Sequence, residues 1–280
     1  MNPFALEFMQ RALVAALLVG LAAPAVGVFL VQRRLALMGD GIGHIALTGV
    51  ALGFLLGTAP VLTAIVVATI GAVVIELVRQ QGRTSGDVAL ALMFYGGIAG
   101  GVLLIGLSSE GSNVNLLSYL FGSLTSVSPT DVVVTTGLSA ALLLTVLIVG
   151  REMFAVCHDE EYAKVAGLPV RTLNLLLAVM AAVTVTVAMR VVGLLLVSAL
   201  MVVPVATAQQ LVRGFRATVL VSLALGVVAS VSGVLGSYYA DTAPGAMIVV
   251  VALGGFLLAT LGGVLLRRLR RGSAAMEPAR

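Results

Sequence analysis

Charge is what this sequence has least of. Only 10% of its 280 residues are Asp, Glu, Lys or Arg, while 60% are hydrophobic and the mean hydropathy is +1.16. A water-soluble chain of this size needs about a quarter of its residues charged, so soluble enzymes and soluble binding modules are excluded. Tryptophan is absent, which leaves little of the aromatic belt common at membrane interfaces. The one cysteine, Cys157, excludes an internal disulfide framework and any thiolate metal cluster. Lys164 is the sole lysine, and no G-x-x-x-x-G-K-[ST] run occurs, so the chain has no phosphate-cradling P-loop and does not hydrolyse ATP by itself. H-E-x-x-H is also missing, which argues against a zincin-type intramembrane protease. The net charge of +4 comes from arginines scattered at segment ends, not from one basic patch, so it is no signal for nucleic acid.

What the sequence has instead is apolar runs of about 17 to 25 residues, the length an α-helix needs to cross ~30 Å of hydrocarbon. Alternating ten-residue strands, the mark of a membrane barrel, are not seen. The expectation is an all-α polytopic bundle forming one transmembrane domain over residues 1–280. Nine segments are read, at about 11–31, 41–57, 60–78, 87–107, 131–150, 172–189, 191–210, 217–237 and 245–266. Placing the RRLRRG tail, in the stretch 267–280, in the cytoplasm leaves only Arg11 and Arg190 of the sixteen basic residues outside. The positive-inside rule therefore favours nine spans and an external N-terminus. Eight spans, with one weak segment not crossing, is the alternative. The first segment has a single basic residue ahead of it and runs too long for a signal peptide, so it is read as an uncleaved span. Residues 108–131 are read as an outer, interfacial or re-entrant piece. Residues 151–172 form the longest cytoplasmic loop. In it Asp159 suits a helix cap, Glu160 and Glu161 a first turn, and Gly167 followed by Pro169 a helix end.

Within MGDGIGHIAL, residues 38–47, Asp40 and His44 sit four apart between two very apolar stretches. A carboxylate in hydrocarbon costs at least ~2.5 kcal/mol on insertion scales, and such groups usually face a bundle interior or an aqueous path. At i and i+4 both side chains share one helix face. Carboxylate oxygen and imidazole nitrogen together make half a site for a borderline divalent cation. The competing reading has Asp40 capping the second span and His44 bonded to a carbonyl. Asp241, in SYYADTAPGAMIVVV at the outer mouth of the last span, is the other candidate ligand, and turn chemistry explains it equally well. The run CHDEE, 157–161, lies where a solvated helix start is expected. Gly49, Gly53 and Gly57, like Gly96 and Gly100, read as helix-packing glycines.

Five blocks in order give the chain a family resemblance: GVFLVQRRLALMGDGIGHIALTGVALG, SYLFGSL, DEEYAKVAGLPV, VVGLLLVSALMVVPVATA and SYYADTAPGAMIVV. Together they resemble the ABC-3 family, permease subunits of zinc and manganese ABC importers of the metal-chelate type. The resemblance covers about residues 8–267. It implies a homodimeric, multi-pass permease of the bacterial plasma membrane with a cytoplasmic C-terminus. Its cargo would be a divalent metal, Zn²⁺ first and Mn²⁺ or Fe²⁺ as alternatives. ATP would be bound by a separate cytoplasmic ATPase, and metal delivered by an extracytoplasmic binding protein. By resemblance, residues 159–169, with Asp159, Glu160, Glu161, Gly167 and Pro169, correspond to the coupling helix that docks on the ATPase. Asp40, His44 and Asp241 correspond to polar residues contacting metal along the path. The chain departs from the family pattern at Thr48 (often proline), Gly41 and Gly43 (alanine and serine), Met247 (threonine) and His158 (an aromatic). A stand-alone proton-coupled carrier using Asp40 and His44 as a relay is a different class of function, and an intramembrane protease dependent on Asp40 is a third.

Overall fold

Apolar runs this long can satisfy their backbone groups in hydrocarbon only by coiling, and the chain coils at each of them. The computed structural model describes residues 6–81, 86–107, 119–125, 127–189, 192–194 and 196–274. The helices are α1 (Glu7–Gln32), α2 (Met38–Leu55), α3 (Pro60–Gln80), α4 (Gly86–Gly106), α5 (Pro129–His158), α6 (Glu160–Val165), α7 (Val170–Ala188), α8 (Val197–Leu211), α9 (Phe215–Ala240) and α10 (Pro244–Ala274). No strand occurs among the described residues. Nearly half of the expected outer piece at 108–131, namely 108–118, lies outside the described residues, as do Arg83, Arg190 and the tail beyond 274.

Among the described residues, eight helices are long and apolar enough to cross a membrane; the exceptions are the six-residue α6 and α8. At fifteen residues α8 rises ~22 Å, short of the ~30 Å of hydrocarbon. The ends of the helices show how the ninth apolar segment runs. Arg33, just past α1, is bonded to Glu160 of α6 and Asn174 of α7, and Gln80 at the end of α3 donates to the Arg171 carbonyl at 3.3 Å. Phe215, which opens α9, packs on Phe29 and Phe154. These contacts gather the ends of α1, α3 and α5 and the starts of α7 and α9 on one side. On the other side, the Leu194 N–H donates to the Tyr119 carbonyl at 2.9 Å, and Gly245 in α10 lies against the Val192 carbonyl. The chain from 192 to 215 thus makes a full traverse, partly unwound and partly as α8. Non-helical backbone at membrane depth is tolerated where protein buries it, and Val192 and Leu194 are buried.

Helices α1, α2 and α7 form the interior, while α3, α5 and α10 turn large side chains such as Ile70, Leu147 and Leu258 outward. Small residues let backbones touch. A Cβ on Gly27 of α1 would lie 1.9 Å from the Met201 carbonyl oxygen of α8, so nothing larger fits there. Gly49 and Gly53 pack against α3 as expected. Gly57 does not share that face: it follows the end of α2 with φ 64°, a turn position that favours glycine. On α4 the close approach falls at Gly97, Gly100 and Gly101, whereas Gly96 meets nothing.

Candidate functional site

Asp40 is the third residue of α2, and it does not cap the helix. The cap position is Leu37, with no side-chain bond. The carboxylate instead accepts at Oδ1 from the hydroxyl of Ser198, the second residue of α8, at 2.6 Å. A negative charge is therefore held in the first turn of two helices at once, where both macrodipoles favour it. The short α8 matters here, because only a helix that begins inside the bundle can present its N-terminus to Asp40; broken helices build ion sites in transporters the same way.

His44 follows one turn on. Its ring packs edge-on against Phe94 of α4, with centroids 4.3 Å apart, and its Nδ1 is buried without a hydrogen-bond partner. The alternative in which the imidazole bonds a carbonyl through that nitrogen is therefore not what the structure shows. Helix α4 reaches this point because residue 97 is glycine: a Cβ would come 2.5 Å from the His44 carbonyl carbon. Thr48, the departure from the family's proline, donates to the Gly97 carbonyl at 2.8 Å and fastens the two helices. Glycines at 41 and 43 do not break α2, which is continuous to Leu55. A cavity of about 260 Å³ opens on Asp40, walled by Leu37, Leu90, Ala91, Phe94 and Tyr95.

Asp241 sits elsewhere. It is exposed and ends α9 in the left-handed conformation (φ 52°), which aspartate tolerates better than most residues. Three residues later Pro244 opens α10, the turn expected from Asp-Thr-Ala-Pro-Gly. Among the described residues no three His, Cys, Asp or Glu side chains come together as a metal-holding group. The site is thus an oxygen and nitrogen pair on α2, with Asp241 in the turn at the other end of the bundle.

The 157–161 run is used structurally. Asp159 accepts the Tyr162 N–H at 2.9 Å and starts α6; Glu160 bonds Arg33 at 2.6 Å and Lys164 at 3.3 Å, and Lys164 also pairs with Glu161 at 3.2 Å. These carboxylates raise the pKa of the Lys164 ammonium, chiefly by hydrogen bonding. Gly167 (φ 80°) ends the element and Pro169 precedes α7. The helix leaves Tyr162 and Val165 bare, 68% and 89% exposed. Sequence reading missed Ser198, Phe94 and the buried Glu76, whose carboxylate is closed by Arg79 and Gln80 at 2.8 to 2.9 Å. Ser198 carries no local signal, being 158 positions from its partner; Glu76 could have been found as a lone carboxylate in an apolar run.

The model of the ABC 3 transport family matches residues 5–263. The chain belongs to that family. Among its relatives are the manganese transport system membrane protein MntC of Halalkalibacterium halodurans, 34% identical over 90% of this chain and 86% of that one, and the chelated iron transport system membrane protein YfeD of Yersinia pestis, 33% identical over 93% and 87%. Among solved structures, PsaBC of Streptococcus pneumoniae in complex with a Fab superposes with a TM-score of 0.81 at 34% identity, covering 91% of each chain. An inward-facing transporter assigned to the metal-chelate ABC type superposes at 0.68 and 16% identity, which speaks for the fold alone. Family membership makes this ABC-3 chain a membrane-embedded permease subunit, not itself an enzyme.

Proposed function

We propose that this chain is the permease subunit of an ATP-driven importer of a divalent first-row transition metal, with Asp40 and His44 as ligands the ion meets in passing. The observation that carries the reading is the buried, unpartnered Nδ1 of His44 one turn from a carboxylate already oriented by Ser198. Two donors without thiolate suit conduction, which needs binding strong enough to admit the ion and weak enough to release it. Mn²⁺ takes first place over the Zn²⁺ expected from sequence, because the relatives above are named for manganese and chelated iron, and carboxylate with imidazole accepts all three metals. In this reading the chain works as a homodimer, with Asp241 at the entrance and an extracytoplasmic protein delivering the ion. Helix α6 offers Tyr162 and Val165 to a cytoplasmic ATPase, as an exposed apolar tip on a capped, ion-paired turn would.

The test is metal-stimulated ATP hydrolysis by the permease reconstituted with its ATPase and binding protein, compared across Mn²⁺, Fe²⁺ and Zn²⁺. The largest stimulation is expected with Mn²⁺. Metal uptake by the chain alone, driven by a pH gradient without ATP, would establish the proton-coupled carrier instead.

Orientation is checked separately. With the Arg33 side in the cytoplasm, Asp241→Cys in a Cys157→Ser background is expected to react with a membrane-impermeant maleimide in intact cells. Arg171→Cys in the same background should react only after permeabilisation. The reverse pattern would invert the topology.

A further inference from the structure

One large cavity on the surface of the bundle lies off the Asp40 path. A groove of about 900 Å³ runs between α5 and the corner joining α8 to α9. Its floor is aromatic: Phe154 and Phe215 pack at 4.3 Å between centroids, with Phe29 behind them at 5.7 Å. Its membrane-facing wall carries Leu147 and Leu220, 80% and 68% exposed. Arg151, Arg213 and Arg216 line it beside this floor, on the Arg33 side of the bundle: Phe154 follows Arg151 by three residues, and Phe215 lies between Arg213 and Arg216. Arg151 follows directly on the apolar run 131–150, so the cations mark the level at which the hydrocarbon ends. No Asp or Glu lines the groove, and none of the three guanidiniums has an ion-pair partner among the described residues.

From this arrangement we infer that the groove is a binding site for an anionic phospholipid of the leaflet on the Arg33 side. Its acyl chain would run along Val146, Leu147, Val219 and Leu220, and its phosphate would sit among Arg151, Arg213 and Arg216 beside the aromatic floor. A zwitterionic lipid would fill the apolar part equally well, but its ammonium would be brought to three cations. A free inorganic anion would match the arginines and leave the apolar wall at Leu147 and Leu220 uncovered. Basic pockets between transmembrane helices at the headgroup level recognise anionic lipids by this combination. Guanidinium is suited to it, being planar, always charged and able to hold phosphate through two parallel hydrogen bonds. This site is independent of the metal reading and stands or falls without it.

The experiment uses the purified full-length chain, delipidated in mild detergent and titrated with phosphatidylglycerol or phosphatidylcholine of the same acyl composition, bound lipid being resolved by native mass spectrometry. Wild type is expected to prefer phosphatidylglycerol, with each arginine contributing roughly fivefold. The triple variant Arg151→Gln/Arg213→Gln/Arg216→Gln should lose the preference while still binding both lipids weakly. If the triple variant does not fold, Arg151→Gln and Arg216→Gln singly should each reduce the preference several-fold. Equal binding of the two lipids by wild type overturns the proposal, as does a preference unchanged in the variants. Displacement of phosphatidylglycerol by millimolar inorganic phosphate would reduce the site to an anion patch and overturn the lipid assignment. Loss of ATPase co-purification in the triple variant, without any lipid preference in wild type, would give the surface to a protein partner instead.

Discussion

Asp40→Asn is expected to leave the permease inserted and folded while cutting metal uptake at least tenfold. Asparagine keeps the size of aspartate, and its side-chain oxygen still accepts the Ser198 hydroxyl, so the α2 to α8 contact survives. What disappears is the negative charge, and with it the anionic ligand; losses of 10- to 100-fold are usual even for groups that only orient a metal ligand. His44→Ala should be comparably severe. The double variant should be little worse than the worse single, because partners in one site are not additive. Ser198→Ala separates positioning from ligation: it retains the charge and loses only its orientation, so a smaller loss is expected. Uptake per inserted permease, in cells lacking other importers of the metal, is the measurement. Near-normal uptake in Asp40→Asn would remove Asp40 from the path and leave His44 as a packed polar residue. The structure already argues against the simplest rival, since a capping role would require a bond to the α2 backbone that Asp40 does not make.

The helical bundle was legible because its determinants are local. Run length sets helix length, and the positions of Arg33, Arg79, Arg151 and Arg213 mark where runs end. The α6 turn was legible for the same reason: Asp159, Glu160, Glu161 and Gly167 act on backbone within a few residues of themselves. The unwinding before α8 was not, because Val-Gly-Leu-Leu-Leu reads as continuous hydrocarbon helix until Gly193 is seen at φ 87° against the backbone of Leu120 and Phe121. That conformation is imposed by a tertiary contact, with the Leu194 N–H bonded to the Tyr119 carbonyl. The same applies to the site: four-residue spacing joins Asp40 to His44, but Ser198 and Phe94 are brought by α8 and α4. The glycine errors share this cause. A glycine at the right helical spacing is a packing residue only if a neighbour lies on that face, as one does for Gly97 and does not for Gly96.

Arg33→Met is expected to destabilise the bundle and to disconnect α6 from it. The Arg33 side chain is only 8% exposed; it donates to the Asn174 Oδ1 of α7 and, at 2.6 Å, to the Glu160 carboxylate of α6. Glu160 is 38% exposed and keeps Lys164, so its loss is softened by water and by that second cation. Asn174 is buried and has no such recourse, and orphaning a buried polar group costs ~1–3 kcal/mol. A total of ~2–3 kcal/mol follows, which a thermal unfolding measurement on the detergent-purified chain would register. Arg33→Lys should recover part of it, since an ammonium on a flexible stem does not hold two acceptors in the fixed fork a guanidinium provides. The functional consequence comes from chain connectivity. Arg33 follows directly on α1, Arg34 turns the chain at φ 59°, and Asp40 lies in the first turn of the next helix, so the element we assign to ATPase docking is bonded to the turn that leads into the helix carrying the proposed metal ligand. Arg33→Met in the reconstituted complex should therefore retain basal ATP hydrolysis and lose most of its stimulation by metal. Glu160→Gln should do the same more mildly, and the pair should show a coupling energy in a double-mutant cycle. Full metal stimulation in an Arg33→Met complex of normal composition would mean that α6 communicates with α2 by another route, with Asn174 and α7 the next contacts to test.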